Sequence, residues 1–230
     1  MWKTIETALP QMLAAGFKFT LPLAITSFVI GLIIALIVAL IRISKRGGLF
    51  NILKWLADFY VWLFRATPLI VQLFIVFFGL PYLQIKGITP NGIKLDAYIA
   101  GLITFSLNTG AYASETIRAA LISVPEGQWE AGASIGMSKF KILWRIIIPQ
   151  ALRVALPPLA NSFISLVKDT SLAASITIME MFAVSQQIAA ENYQPLLMYI
   201  LAALVYALFT TVLTYLQKYL EKVLNPQVDN

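Results

Sequence analysis

The 230-residue sequence contains neither cysteine nor histidine. Without cysteine there is no disulfide framework and no thiol chemistry, and the redox compartment stays open. Without histidine a transition-metal site lacks its commonest ligand, so no metal is expected. A nucleophile–base pair would have to be Ser-Lys or paired carboxylates. Ser165 and Ser171 do flank Lys168 at three residues on either side, a spacing that serine-rich stretches produce by chance. No G-x-x-x-x-G-K-[ST] occurs and the 12 glycines are scattered, so no phosphate-cradling loop is present. No internal repeat is evident, which removes the inverted halves of many secondary transporters. Charge is scarce as well, at 12% of residues.

What is abundant is apolar: 59% of residues are hydrophobic and the mean hydropathy is +0.80, values of a membrane protein. The formal charge of +6 does not mark a nucleic-acid partner. The basic residues sit in short loops beside apolar runs long enough to cross ~30 Å of hydrocarbon. Residues 1–17 read as a weakly amphipathic helix on the membrane surface rather than a signal peptide. A first span covers 19–41, with Pro22 in its first turn, where a missing amide costs little. The loop 42–54, with Arg42, Lys45, Arg46 and Lys54, is cytoplasmic by charge. A second span, 55–80, holds Asp58 and Arg65. Lys86-Gly87 and Pro90-Asn91-Gly92 mark turns in an outer loop, 81–96. A third span, 97–121, carries Glu115 and Arg118. Lys139, Lys141, Arg145 and Arg153 return the chain to the cytoplasmic side. A fourth span, 154–179, is interrupted at Pro157-Pro158 and at Lys168-Asp169, and 180–194 is a polar outer loop. A fifth span, 195–217, leaves Lys218 and Lys222 inside. The expectation is a single all-α membrane domain over 1–230, with five transmembrane helices, N-terminus outside and C-terminus cytoplasmic.

Between the third and fourth spans lies EAGASIGMSKFKILWRIIIP, residues 130–149, too charged to cross a bilayer and too apolar for a free linker. It predicts two short helices, 125–135 and 138–147, bent at Gly136, with Gly136 as C-cap and Ser138 as the next N-cap. The order Glu130-Ala131-Gly132, Gly136, Ile146-x-Ile148-Pro149 resembles the EAA loop of ABC importer permeases. That pattern is Glu-Ala-Ala, three residues, Gly, nine residues, Ile-x-Leu-Pro; Gly132 and Ile148 are its mild departures. The resemblance implies a coupling helix that docks on a cytoplasmic ATPase, drawing on Glu130, Ala131, Gly132, Ser134, Gly136, Met137 and Lys139. From the residues alone, an amphipathic helix on the membrane surface is the alternative, with Gly132 and Gly136 as a small-xxx-small contact.

Charges inside spans are costly, about 2.5–3.5 kcal/mol each at a helix centre, and point to function. Arg65 belongs to RATPLIVQLF, which resembles the family's R-G-T-P-L-x-x-Q, with Ala66 in place of Gly. Pro68 should break the helix and free carbonyls for Thr67 or a ligand; a simple kink, with Arg65 reaching the headgroups, is the alternative. Helical spacing puts Asn108, Tyr112 and Glu115 on one stripe, with Thr104 a turn further out: a cradle for an ammonium or a cationic side chain. Pairing of Glu115 with Arg118 or Arg65 is the alternative. SLNTGAYASETIRAAL resembles the third-span signature of polar amino-acid permeases, S-x-x-x-A-Y-x-x-E-x-x-R, and VKDTSLAASI resembles L-K-x-T-S-L-x-x-x-I. Thr170 and Ser171 in the latter, with Ser165 two residues before it, are candidate pathway residues.

Together these resemblances imply the transmembrane domain of a type I ABC importer for polar amino acids, residing in the bacterial cytoplasmic (inner) membrane. They imply a second permease copy or a sister permease, a pair of ABC ATPase subunits and an extracytoplasmic amino-acid-binding protein. They place ATP and magnesium in the ATPase, with no cofactor in this chain. Glu115 favours a basic substrate such as arginine, lysine or histidine, with glutamine or another neutral polar amino acid as the alternative. On that reading Glu115→Gln would weaken selection of a cationic substrate. A stand-alone transporter, an intramembrane enzyme using Lys168 and a structural anchor are the rival classes.

Overall fold

The computed structural model describes residues 2–44, 47, 48, 50–84, 90 and 92–224. Lys45, Arg46, the Lys86-Gly87 turn and Asn91 lie outside the described residues. Among the described residues there is no strand. The helices are α1 (Trp2–Ala15), α2 (Leu21–Ile43), α3 (Phe50–Ala66), α4 (Leu69–Phe74), α5 (Ala97–Ser123), α6 (Glu126–Ser134), α7 (Lys139–Ile142), α8 (Ile148–Asp169), α9 (Met181–Asn192) and α10 (Pro195–Leu224).

Helices α2 and α5 form the axis of the bundle. Lipid tails are as apolar as leucine, so helices in a membrane associate through close packing of small residues rather than by escaping water. Gly31 of α2 lies against Thr109 of α5, where an added Cβ would come within 2.8 Å of the threonine side chain. Gly110 of α5 faces Ile34 and the Tyr60 hydroxyl, with an added Cβ 2.7 Å from the latter. Around this axis the buried residues fall into two layers. One holds Leu23, Leu73, Phe105, Leu166, Val167 and Ile176. The other holds Ala35, Ala113, Ala120, Ile142, Ile147 and Ala151. Helices α2 and α5 therefore run from the first layer to the second, and α8 runs back. A third cluster joins α1, α9 and α10 through Ala8, Met12, Met181, Ala189 and Met198.

Among the described residues three helical runs, Trp2–Ile43, Lys139–Ile176 and Pro195–Val223, are long and apolar enough to cross a membrane. The pair Phe50–Ala66 and Leu69–Tyr82, bent by 108°, passes the same test only when the two helices are taken together. Ala57 and Val61 of this pair pack on Val38 of α2, and Leu73 packs in the Leu23–Phe105 layer. Helix α5 has the length at 27 residues, but carries Glu115, Arg118 and a run of small polar residues.

The structure corrects four sequence expectations. Residues 2–15 are not a separate surface helix. A π turn, Gly16–Thr20, joins α1 to α2, and Ala8 and Met12 are wholly buried against α9 and α10. The fourth span is not interrupted at Pro157-Pro158, because α8 runs through both. The second short helix of the elbow does not end at 147: a π turn, Leu143–Ile147, fuses α7 to α8, and Pro149 falls in the first turn of α8, where proline is tolerated. The segment 180–194 is not a loop but α9. Glu180 starts this helix by accepting the amides of Phe182 (2.9 Å) and Ala183 (2.7 Å).

Candidate functional site

The elbow between α6 and α7 is built by local chemistry. Gly136 has φ +76°, the left-handed conformation that ends helices. The Gly136 amide donates to the Ala133 carbonyl (2.9 Å) and the Met137 amide to the Gly132 carbonyl (3.0 Å), the paired bonds of a Schellman turn. Ser138 then caps α7 by accepting the Lys141 amide (3.4 Å). Gly132 is buried against Ile142, where a Cβ would come within 2.7 Å, so α6 folds tightly onto α7. Space around Gly136 is open, so among the described residues it makes no small-xxx-small contact with another helix. Glu130, Ala131, Ser134 and Lys139 are exposed, Met137 is half-buried, and Ile135 and Phe140 are 77% and 69% exposed. The elbow is thus a rigid, amphipathic projection whose inner face is seated on the bundle by Ile142 and Ile147. Gly136→Ala should cost the elbow about 1–2 kcal/mol, from backbone conformation alone because nothing crowds the added methyl. Comparing thermal unfolding of the purified variant and wild type checks this.

Deeper in the bundle, Pro68 parts α3 from α4. Lacking an amide hydrogen, it leaves the Phe64 carbonyl, four residues back, without its helical donor. Gln72 supplies one: its Nε2 lies 2.9 Å from the Phe64 oxygen, 3.1 Å from the Thr67 carbonyl and 2.9 Å from Thr67 Oγ1. Thr67 itself donates to the Leu63 carbonyl (2.8 Å), and Asn108 Nδ2 donates to Gln72 Oε1 (3.0 Å). The structure therefore joins Thr67 and Asn108 through a residue not singled out from the sequence. The signal was there, in the Gln that closes RATPLIVQ.

The stripe on α5 divides. Asn108 turns to Gln72, whereas Tyr112, 46% exposed, lies under the Arg65 guanidinium at 5.5 Å. Thr104 is buried and donates to the Ala100 carbonyl. Glu115 accepts from Arg42 Nη1 (2.6 Å) and from Arg118 Nε (3.1 Å), and Arg42 Nε also binds Asp58 (2.6 Å). Pairing with Arg118, one of the two alternatives read from the sequence, is present; the cross-bundle partner is Arg42 rather than Arg65. Two arginines balance two carboxylates and pin α2, α3 and α5 together.

Ser165 of α8 is exposed, and Thr170, in the 3₁₀ turn Thr170–Ile176 that follows α8, is buried and donates to the Val167 carbonyl (2.7 Å). Ser171 borders a cavity between α8 and α10. Behind that cavity, Glu180 is fully buried and accepts the Tyr206 hydroxyl. Burial pushes the Glu180 carboxyl above its usual range, against the stabilising pull of Tyr206 and two backbone amides. Among the described residues no three metal-ligating side chains gather.

The described residues thus form a helical bundle with runs of membrane-crossing length, a kinked polar interior and one exposed elbow. The chain belongs to the family of binding-protein-dependent transport system inner membrane components, whose pattern matches residues 31–225. It is 46% identical over 228 residues to the L-cystine transport system permease protein TcyB of Bacillus subtilis (strain 168), covering 99% of this chain and 92% of TcyB. It is 40% identical over 207 residues to the probable amino-acid ABC transporter permease protein YckA of the same organism, covering 90% and 86%. The crystal structure of an amino acid ABC transporter with histidines superposes with a TM-score of 0.85 at 28% identity, over 96% of this chain and 98% of that one. The chain is accordingly a permease subunit of an amino-acid ABC importer. It is not an enzyme, and the ATPase is a separate subunit.

Proposed function

We propose that the cargo is a polar amino acid of zero net charge, with cystine the first candidate. The observation that carries this is the state of Glu115. Its carboxylate is already balanced by Arg42 and Arg118, so it offers no free negative charge to select a cationic side chain. The likeness to TcyB supports the same class. A basic amino acid is the second reading, favoured by the likeness to the transporter structure with histidines.

In this reading the whole chain is one transmembrane domain crossing a bacterial inner membrane five times, N-terminus outside, with α5 and the bent α3–α4 pair as two of the crossings. The elbow, with Glu130, Ala131, Gly132, Ser134, Gly136, Met137 and Lys139, faces the cytoplasm and seats on an ATPase that holds ATP and magnesium. A second permease copy or a sister permease completes the pathway, and an external binding protein delivers the amino acid. Thr67, Asn108, Tyr112, Ser165, Thr170 and Ser171 are the polar groups available to it, with Glu115 acting through the ion-pair network.

The test is ATP hydrolysis by the complex in proteoliposomes with its binding protein. Cystine, glutamine, arginine and histidine would be supplied in turn. Stimulation by cystine or glutamine well above that by arginine is expected. The reverse order would restore the basic reading.

A further inference from the structure

The helical run from α7 into α8 has two unlike faces. Ile142, Ile147 and Ala151 turn inward and seat it on the bundle. On the other side Phe140, Trp144 and Leu152 are exposed, and Lys141, Arg145 and Arg153 stand exposed beside them. We propose that this outer face binds the anionic headgroups of phospholipids in the cytoplasmic leaflet, so that the elbow is held between the bilayer and its ATPase. The inference rests on the reading of the elbow as cytoplasmic and ATPase-facing, and it assigns a second partner to the elbow's other side.

The length of the run sets the depth of this face. Lys139–Ile176 is one helical run of 38 residues, ~57 Å at 1.5 Å per residue and nearly twice the ~30 Å of hydrocarbon. Lys139, Lys141, Arg145 and Arg153 hold its first third out of the hydrocarbon, at the level of the headgroups. The π turn sets the alignment. Lys141 and Arg145 are four residues apart and Arg153 is eight further on. In an unbroken α-helix residues twelve apart point about 120° away from each other. The π turn Leu143–Ile147 takes in one extra residue and brings them back onto one stripe. The inner face records the same shift, since Ile142 and Ile147 are five apart whereas Ile147 and Ala151 are four. Phe140, Trp144 and Leu152 repeat the same intervals and form a parallel apolar stripe.

Charge decides what the face meets. Helix α6 carries Glu126 and Glu130 and no basic residue. From Lys139 to Lys168 there is no acidic residue at all. Among the described residues no carboxylate pairs with Lys141, Arg145 or Arg153; the salt bridges join Arg42, Asp58, Glu115 and Arg118. Guanidinium and ammonium groups suit lipid phosphates, and their apolar stems reach along the membrane surface. Phe140 and Trp144, with ring centroids 6.0 Å apart, supply the aromatic belt found where helices leave a bilayer. An acidic protein groove would match the cations but leave the parallel apolar stripe in water. Each basic side chain near an anionic membrane is worth about a fivefold preference.

The chain has no native cysteine, so Leu152→Cys places a single fluorophore on this face. The complete transporter, so labelled, is reconstituted in phosphatidylcholine vesicles containing headgroup-spin-labelled phosphatidylglycerol or phosphatidylcholine. Quenching should show about a tenfold or greater preference for phosphatidylglycerol. Lys141→Gln, Arg145→Gln and Arg153→Gln together should bring the two lipids to within about twofold, whereas Lys141→Arg keeps the preference. ATP hydrolysis stimulated by the binding protein should rise with the phosphatidylglycerol fraction in the otherwise unsubstituted complex and stay flat in the triple variant. Equal quenching by both lipids, or a preference that the triple substitution leaves intact, would overturn the assignment. A label quenched by neither lipid would give the face to the ATPase and overturn it too. If the triple variant does not assemble, salt decides: the preference should fall severalfold as salt is raised, and an unchanged preference refutes the face. ATP hydrolysis that responds to neither binding protein nor amino acid in any lipid would instead refute the underlying permease reading, while the quenching still decides the lipid face.

Discussion

Replacing Glu180 with alanine should destabilise the bundle by about 3 kcal/mol. The carboxylate caps α9 through two amides, and losing a helix cap costs about 1 kcal/mol. It also accepts the Tyr206 hydroxyl, and a polar group stranded in a buried place costs about 1–3 kcal/mol more. Glu180 has no exposed surface, so water cannot replace what is removed. For a chain of this length the loss corresponds to a melting point lower by about 6–12 °C. Glu180→Gln keeps an acceptor for Tyr206 and should lose less than half as much. An alanine variant that melts within a degree or two of wild type would show that Glu180 is not the pin that holds α9 to α10.

Glu115→Gln should impair assembly while leaving substrate choice unchanged. The substitution leaves the guanidinium groups of Arg42 and Arg118 facing one another without the carboxylate between them. A fully buried pair broken in this way costs about 3–5 kcal/mol; these side chains are 18–31% exposed, so about 2 kcal/mol is expected. A double-mutant cycle of Glu115→Gln with Arg42→Gln should show a coupling energy of about 1 kcal/mol or more. The ratio of arginine to glutamine uptake should match wild type in every variant that assembles. A ratio that falls for arginine alone would return Glu115 to the role of a cation-selecting group, as the sequence suggested.

The difference over Glu115 shows where reading the chain reaches its limit. Helical spacing places Asn108, Tyr112 and Glu115 on one stripe, and α5 is a helix there. Spacing along one helix cannot say what stands opposite. Gln72 of α4 faces Asn108, Arg65 of α3 faces Tyr112, and Arg42 of α2 faces Glu115, each brought there by a different element. The first segment illustrates the same point. Residues 2–15 are weakly amphipathic, which suits a membrane surface and a neighbouring helix equally well. Met181 and Met198, more than 160 residues away, fill the place that lipid would have taken. Glu180 looked like a loop acid because its buried partners, Tyr206 and the amides of α9, are tertiary or cap contacts that hydropathy does not register.

Local chemistry, in contrast, was legible at several points, though not at Pro157-Pro158, which α8 runs through. Pro68 breaks its helix because it lacks an amide hydrogen, Gly136 turns the elbow because it tolerates positive φ, and Ser138 caps α7. The apolar runs and the family signatures fixed the membrane class and the kind of transporter, since both depend on residues close together in the chain. Which charges are balanced and which helices touch through Gly31 and Gly110 were decided by tertiary packing alone. In a bilayer the long-range partner of a polar group, rather than its own type or spacing, determines whether it is structural or free to meet a ligand.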